Sequence, residues 1–256
     1  MLLKGKVALV TGGSSGIGEA IAKRFAKHGA TIAVVASGSL AKAESVCEAI
    51  RADGGTASPY VTDVRSAAAV AELVDKVCDD HGGLDILVNS AGVYYPTVVG
   101  ETPEADSDRM FDANIKGVWN CINAAVPKMK ERGGGKIVNL SSVAAYVGIG
   151  NFAIYCATKA AIMMMTRSLA CDLAPYDINI NAIAPGNTQT PMNEGFRTDP
   201  ANAEYIQAME KATPSNTTFS KPEEIAELAV FLVSEASRPM HGSTVLIDEG
   251  ISAGIG

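Results

Sequence analysis

Tyr155 and Lys159 stand four residues apart in a run of helical composition, 152–174. Residues at that spacing on a helix share a face, with Cβ atoms about 5–6 Å apart. An ammonium that close favours the phenolate, so the tyrosine pKa is expected to fall below its ordinary value of about 10. Such a shift suits a general acid or base, which works best with a pKa near the operating pH. Ser142 follows an apolar run, 136–141, that reads as a buried strand. A hydroxyl there would hydrogen-bond the substrate oxygen that Tyr155 protonates. By itself Tyr-x-x-x-Lys is also common as a solvated pair, so the chemistry requires a cofactor site elsewhere in the chain.

The elements that must position these groups alternate along the chain. Short apolar runs at 7–10, 31–36, 57–61, 84–89, 136–141, 178–183 and 243–247 read as strands buried on both faces. Between them lie helical patterns at 17–26, 41–52, 67–80, 106–130, 152–174 and 222–234. Residues 187–220 show no strong periodicity and carry Pro191, Pro200 and Pro214. This order predicts an α/β fold: a single doubly wound parallel sheet of about seven strands, with ligands at the strands' carboxyl ends. The whole chain, 1–256, is expected to form one nucleotide-binding domain, with 187–220 as its substrate-loop region.

Bulk properties narrow the partners. A net charge of −7 argues against nucleic acid and anionic membranes, which call for a basic patch. No apolar run approaches the roughly 18 residues of a membrane span. The amino terminus enters a strand within a few residues, leaving no room for a signal peptide. The five cysteines are scattered and the three histidines lie far apart, so we expect reduced thiols, no metal site and a cytoplasmic location.

Gly12, Gly16 and Gly18 fall between the first strand and the first helix. Glycines there allow a tight turn and close approach of a pyrophosphate to helix-end amides; a purely structural turn is the other reading. Thr11-Gly-Gly-Ser-Ser-Gly-Ile-Gly18, Asn89-Ser-Ala-Gly92, Asn114, Ser142, Tyr155-x-x-x-Lys159 and Pro185-Gly186 with Thr190 follow in order. Together they resemble the classical short-chain dehydrogenase/reductases over essentially the whole chain.

The resemblance implies a role for each residue. Tyr155 would be the general acid in ketone reduction and the base in alcohol oxidation. Lys159 would hold the nicotinamide ribose and lower the Tyr155 pKa. Ser142, rather than Ser141, would orient the carbonyl. Asn114 would kink its helix and hold a water in a relay to Lys159; its plainer reading is a polar helix residue. The cofactor would lie on Gly12, Ser14, Ser15, Gly16, Ile17 and Gly18. Asp63 and Val64 would meet the adenine, although an aspartate ending a strand is also a common turn residue. Asn89, Ala91 and Gly92 would follow the ribose, and Pro185, Gly186, Thr188 and Thr190 the nicotinamide carboxamide and phosphates. A homotetramer built partly from the Asn114 and Tyr155 helices is implied as well.

Members of the family that use NAD usually end the second strand with an acid for the ribose 2′-hydroxyl. Here Ala36 takes that place and Ser37, a possible phosphate donor, follows. Against NADP(H), the basic residue that many NADP-using members carry in the glycine loop is missing, with Ser15 in its place and Lys42 as a candidate substitute; the missing acid still favours NADP(H) over NAD(H). Ile247-Asp248-Glu249-Gly250 replaces the family's Asp-Gly-Gly, which puts that turn in question.

Tyr94, Val143, Ala144, Ile149 and Phe152 would shape an apolar pocket for a small ketone or secondary alcohol. Among relatives, the 3-oxoacyl-carrier-protein reductases read an acidic carrier with basic residues, whereas 169–177 here carries Asp172 and Asp177. A free small molecule is therefore expected, with carrier-bound 3-oxoacyl groups or sugars and polyols as alternatives. A nucleotide-sensing scaffold without catalysis is the reading from another class, and intact Ser142, Tyr155 and Lys159 speak against it.

Overall fold

In the computed structural model, which describes residues 1–253, the first strand β1 (Val7–Thr11) is buried along its whole length. Its flanks explain why. The sheet has seven parallel strands in the order β3-β2-β1-β4-β5-β6-β7. The others are β2 (Thr31–Ala36), β3 (Thr56–Val61), β4 (Ile86–Asn89), β5 (Gly135–Leu140), β6 (Ile178–Pro185) and β7 (Thr244–Ile247). Pro59 is tolerated within β3 because that strand is at an edge.

Helices α1 (Gly16–Lys27), α2 (Leu40–Ala52), α3 (Ala67–His81), α4 (Glu104–Phe111), α5 (Gly117–Glu131) and α6 (Ala153–Leu173) follow the first five strands. Beyond β6 come α7 (Glu194–Thr198), α8 (Ala203–Ala212) and α9 (Pro222–Val233). One face of the sheet packs Ile21 and Phe25 of α1, Val46 and Ile50 of α2, and Ile225 and Val230 of α9. The other packs Val70 and Val74 of α3, Val118 and Ile122 of α5, and Ile162 and Leu173 of α6. With both faces covered, the strands must be apolar throughout, which is why they read as continuous runs.

The strand order reverses between β1 and β4, and this switch point opens a crevice at the carboxyl ends. Three details differ from expectation. The helical stretch expected at 106–130 is two helices joined by a π turn, Asp112–Lys116, centred on Asn114. Residues 187–220, expected to lack regular structure, contain two short helices, α7 and α8, neither of which buries a side chain fully. β6 also runs two residues past 183, because Ala184 and Pro185 pair with β7. Among the described residues, no helix is long and apolar enough to cross a membrane.

Candidate active site

A cavity of about 440 Å³ occupies the switch point. The glycine loop forms its floor. Gly12 has φ +64°, and a Cβ there would stand 2.9 Å from the Ala91 amide. Gly18 is equally committed, since its Cβ would meet the Gly12 carbonyl at 2.3 Å. Thr11 ties the two sides together: its hydroxyl donates to Val88 O and accepts from the Ser90 and Ala91 amides. The amino terminus of α1 therefore faces a backbone-lined cradle, as a pyrophosphate requires.

Of the residues expected to hold the cofactor, Gly12, Ser14, Ser15, Gly16, Ile17, Ser37, Asp63, Val64, Ala91, Gly92 and Thr190 line this cavity. Gly18 lies beneath the loop, and Asn89 is buried in the sheet, where its amide donates to Asn139 Oδ1 at 2.8 Å. Pro185, Gly186 and Thr188 sit at the end of β6 outside the lining; Thr188 is buried and donates to Gly186 O. Both Asp63 carboxylate oxygens accept from Arg65, at 2.9 and 2.6 Å, which holds the Asp63 pKa below its usual range. The structure adds wall residues that pattern reading did not select, including Ser90, Val93, Arg65 and Arg109. Arg109 is on an exposed helix face without periodic signal, and only its place at one turn before Ala113 hints at the cavity. The turn after β7 closes without the usual glycine: Glu249 adopts φ +59°, and its carboxylate accepts from the Ser220 hydroxyl at 2.8 Å.

The catalytic candidates gather at one end of this cradle. A Cβ on Gly92 would be 3.1 Å from Asn114 Oδ1 and 3.9 Å from Lys159 Nζ. Asn114 is buried, accepting from Val93 N at 2.8 Å and donating to Val93 O and Thr158 Oγ1. The π turn presents it there by widening the helix by one residue. Ser141 and Ser142 diverge as adjacent strand-end residues must. Ser141 is buried and donates to Lys159 O at 2.9 Å, whereas Ser142 turns toward Tyr155 and accepts from Ala144 N.

The electrostatics correct one expectation. The Tyr155 pKa is not lowered; burial pushes it up to about 12, with the Ser142 hydroxyl pulling the other way. Lys159 does not offset this, because its ammonium is 5.6 Å from the Tyr155 ring centre and donates to Leu140 O at 2.8 Å. Burial in turn draws Lys159 down to about 8. At this spacing both groups lose solvent together, and desolvation outweighs their mutual effect. The state favoured near neutral pH is a phenol beside an ammonium, which is a proton donor.

The expected pocket residues divide. The Tyr94 ring stacks on Phe152 at 4.4 Å and meets Tyr155 edge-on at 4.8 Å. Val143 and Ala144 are buried in a short turn after Ser142, while Ile149 is exposed and lies outside the cavity lining. Among the described residues, no cluster of three or more potential metal ligands occurs.

Comparison with known proteins defines the class. Residues 12–252 match the family described as enoyl-(acyl carrier protein) reductase. The 3-oxoacyl-[acyl-carrier-protein] reductase FabG of Thermotoga maritima is 37% identical, covering 98% of this chain and 99% of that protein. Among solved structures, a gluconate 5-dehydrogenase from Burkholderia cenocepacia in complex with NADP and tartrate has a TM-score of 0.92 at 32% identity, covering 99% and 97% of the two chains. A 7α-hydroxysteroid dehydrogenase complexed with NADH and 7-oxo glycochenodeoxycholic acid has a TM-score of 0.90 at 32% identity, with coverage of 99% and 97%. The chain belongs to the short-chain dehydrogenase/reductase family. It is an NAD(P)-dependent oxidoreductase that interconverts a carbonyl and an alcohol.

Proposed function

We propose that this enzyme reduces a free small-molecule ketone to a secondary alcohol, with Tyr155 as the proton donor. The observation that carries the reading is the grouping of the Tyr155 phenol, the Ser142 hydroxyl and the Lys159 ammonium behind Gly92, a residue of the glycine-loop cavity's wall. The bound nicotinamide supplies the hydride. Ser142 donates a hydrogen bond to the carbonyl oxygen and orients it toward Tyr155. Tyr155 passes its proton to that oxygen as negative charge develops there. Lys159 stabilises the resulting phenolate through its positive charge, and Asn114, braced by three hydrogen bonds, keeps the Val93 backbone in place beside it. Alcohol oxidation runs the same groups in reverse.

We favour NADPH. Ala36 and Ser37 bring no carboxylate to the end of β2, and Arg65 and Arg109 are the cations among the cavity-lining residues. Solved relatives carry either cofactor, so the fold leaves this choice to local charge. For the substrate, Tyr94, Phe152 and Ile149 favour apolar bulk next to the ketone. Carrier-bound 3-oxoacyl groups are the second reading, supported by the FabG similarity. The exposed Asp172 and Asp177 weigh against docking of an acidic carrier there. Self-association fits Phe111, Trp119 and Met164, apolar side chains exposed on α4, α5 and α6. Five free thiols suit the reducing cytoplasm.

The test is nicotinamide oxidation by the whole enzyme with NADPH or NADH over ketones, 3-oxoacyl thioesters, free and carrier-bound, and ketosugars. Turnover of free ketones that is lost in Tyr155→Phe supports the reading. Turnover confined to carrier-bound substrates establishes the second. Cofactor binding without turnover of any class overturns both in favour of a nucleotide-sensing role.

A further inference from the structure

The catalytic helix α6 begins without a cap of its own. Phe152 holds the cap position and offers no side-chain hydrogen bond, although a helix start leaves backbone donors that need partners. One of them is met from a distant part of the chain: Ile154 N donates to Thr97 Oγ1 at 3.4 Å. Thr97 is 5% exposed and is held to the same loop again, its amide donating to Asn151 O and its backbone bridging to Phe152. Asn151 has φ +62°, a left-handed conformation that asparagine adopts more readily than most residues, and its carbonyl accepts from the Thr97 amide.

Three residues before Thr97, Tyr94 makes the second connection. Its ring lies flat on Phe152, with 6° between the planes, and meets the Tyr155 ring at 85°. Both are favourable aromatic geometries, and together they leave Tyr155 little freedom about its side-chain torsions. One short span, 94–97, thus touches both the first turn of the helix and the ring that the helix carries.

We infer that Tyr94 and Thr97 are positioning residues, clamping the start of α6 so that Tyr155 keeps one orientation toward Ser142. The inference rests on the reading of Tyr155 as proton donor. A pocket wall would act on substrate affinity; a clamp acts on the chemical step, because small displacements of a reacting group cost rate steeply.

Two pairs of variants in the full-length enzyme test it. Tyr94→Phe keeps the ring and Tyr94→Leu removes it; Thr97→Ser keeps the acceptor and Thr97→Val removes it with little change in shape. Thr97→Val is expected to speed amide hydrogen exchange at Ile154 about tenfold over wild type, since it opens the first turn. Tyr94→Leu and Thr97→Val are expected to lower kcat by about ten- to a hundredfold with cofactor KM unchanged. Thr97→Ser should stay within about twofold of wild type, and Tyr94→Phe should lose less kcat than Tyr94→Leu. The clamp is overturned if exchange in Thr97→Val matches wild type, if Tyr94→Leu raises substrate KM alone, or if Tyr94→Phe falls as far as Tyr94→Leu. Should Tyr94→Leu fail to fold, the Thr97 pair decides by the same criteria. Activity surviving in Tyr155→Phe would refute the proton-donor reading instead, and the exchange contrast would still judge the clamp.

Discussion

Lys159 Nζ donates to the Leu140 carbonyl at 2.8 Å while standing 5.6 Å from the centre of the Tyr155 ring. The lysine is thus held by the end of β5 and acts on the tyrosine through its charge. Burial depresses Lys159 to about 8 and raises Tyr155 to about 12. Ketone reduction by the free enzyme should therefore hold steady below pH 8 and decline above it as the ammonium is lost. A kcat/KM profile for reduction checks this, and a plateau extending beyond pH 10 contradicts it.

The same burial makes Lys159 costly to the fold. Its folded pKa, about 8, lies below the unfolded value of 10.5, so between these the unfolded chain binds more protons and stability rises with pH. Lys159→Met should abolish most activity yet raise Tm at pH 7, by a stability gain on the order of a few kcal/mol. That gain should shrink as the pH is raised from 8 toward 10.5. Calorimetry at three pH values tests the sign, and a Tm loss at pH 7 would refute it.

Tyr155→Phe removes the proposed proton donor and leaves the glycine-loop cradle intact. The expected loss in kcat is roughly 10²- to 10⁴-fold, the usual contribution of a general acid. Cofactor affinity, read by fluorescence titration, should be unchanged.

The two serines should separate cleanly. Ser142→Ala is expected to cut kcat by about a hundredfold, as removal of a donor to a developing oxyanion does. Ser141→Ala, which loses the bond to Lys159 O, should instead cost about 1 kcal/mol of stability. Equal kinetic effects would mean that the assignment of the two hydroxyls is wrong.

Ala36→Asp places a carboxylate at the end of β2, in the cavity wall. Repulsion of a 2′-phosphate should raise the KM for NADPH by about tenfold or more, equivalent to 1.4 kcal/mol or above, while NADH is spared. Equal changes for both cofactors would place the adenine ribose elsewhere.

The chain by itself determined the sheet, because strands covered on both faces must be apolar and the helices between them must carry one apolar stripe. It also singled out Ser142, Tyr155 and Lys159 as catalytic candidates, since a strand-end hydroxyl and an i, i+4 pair are local facts. What the tertiary structure decided depends on contacts between distant segments. The raised Tyr155 pKa follows from how much protein surrounds its hydroxyl, which spacing does not encode. Asn89, in a motif that suggested the cofactor, turns into the sheet toward Asn139, fifty positions away. Thr97 caps a helix 57 residues downstream, and Arg109 reaches the cavity only because the π turn and α4 carry it there. Local residue types set which chemistry is available; long-range packing sets the solvation and orientation under which it runs.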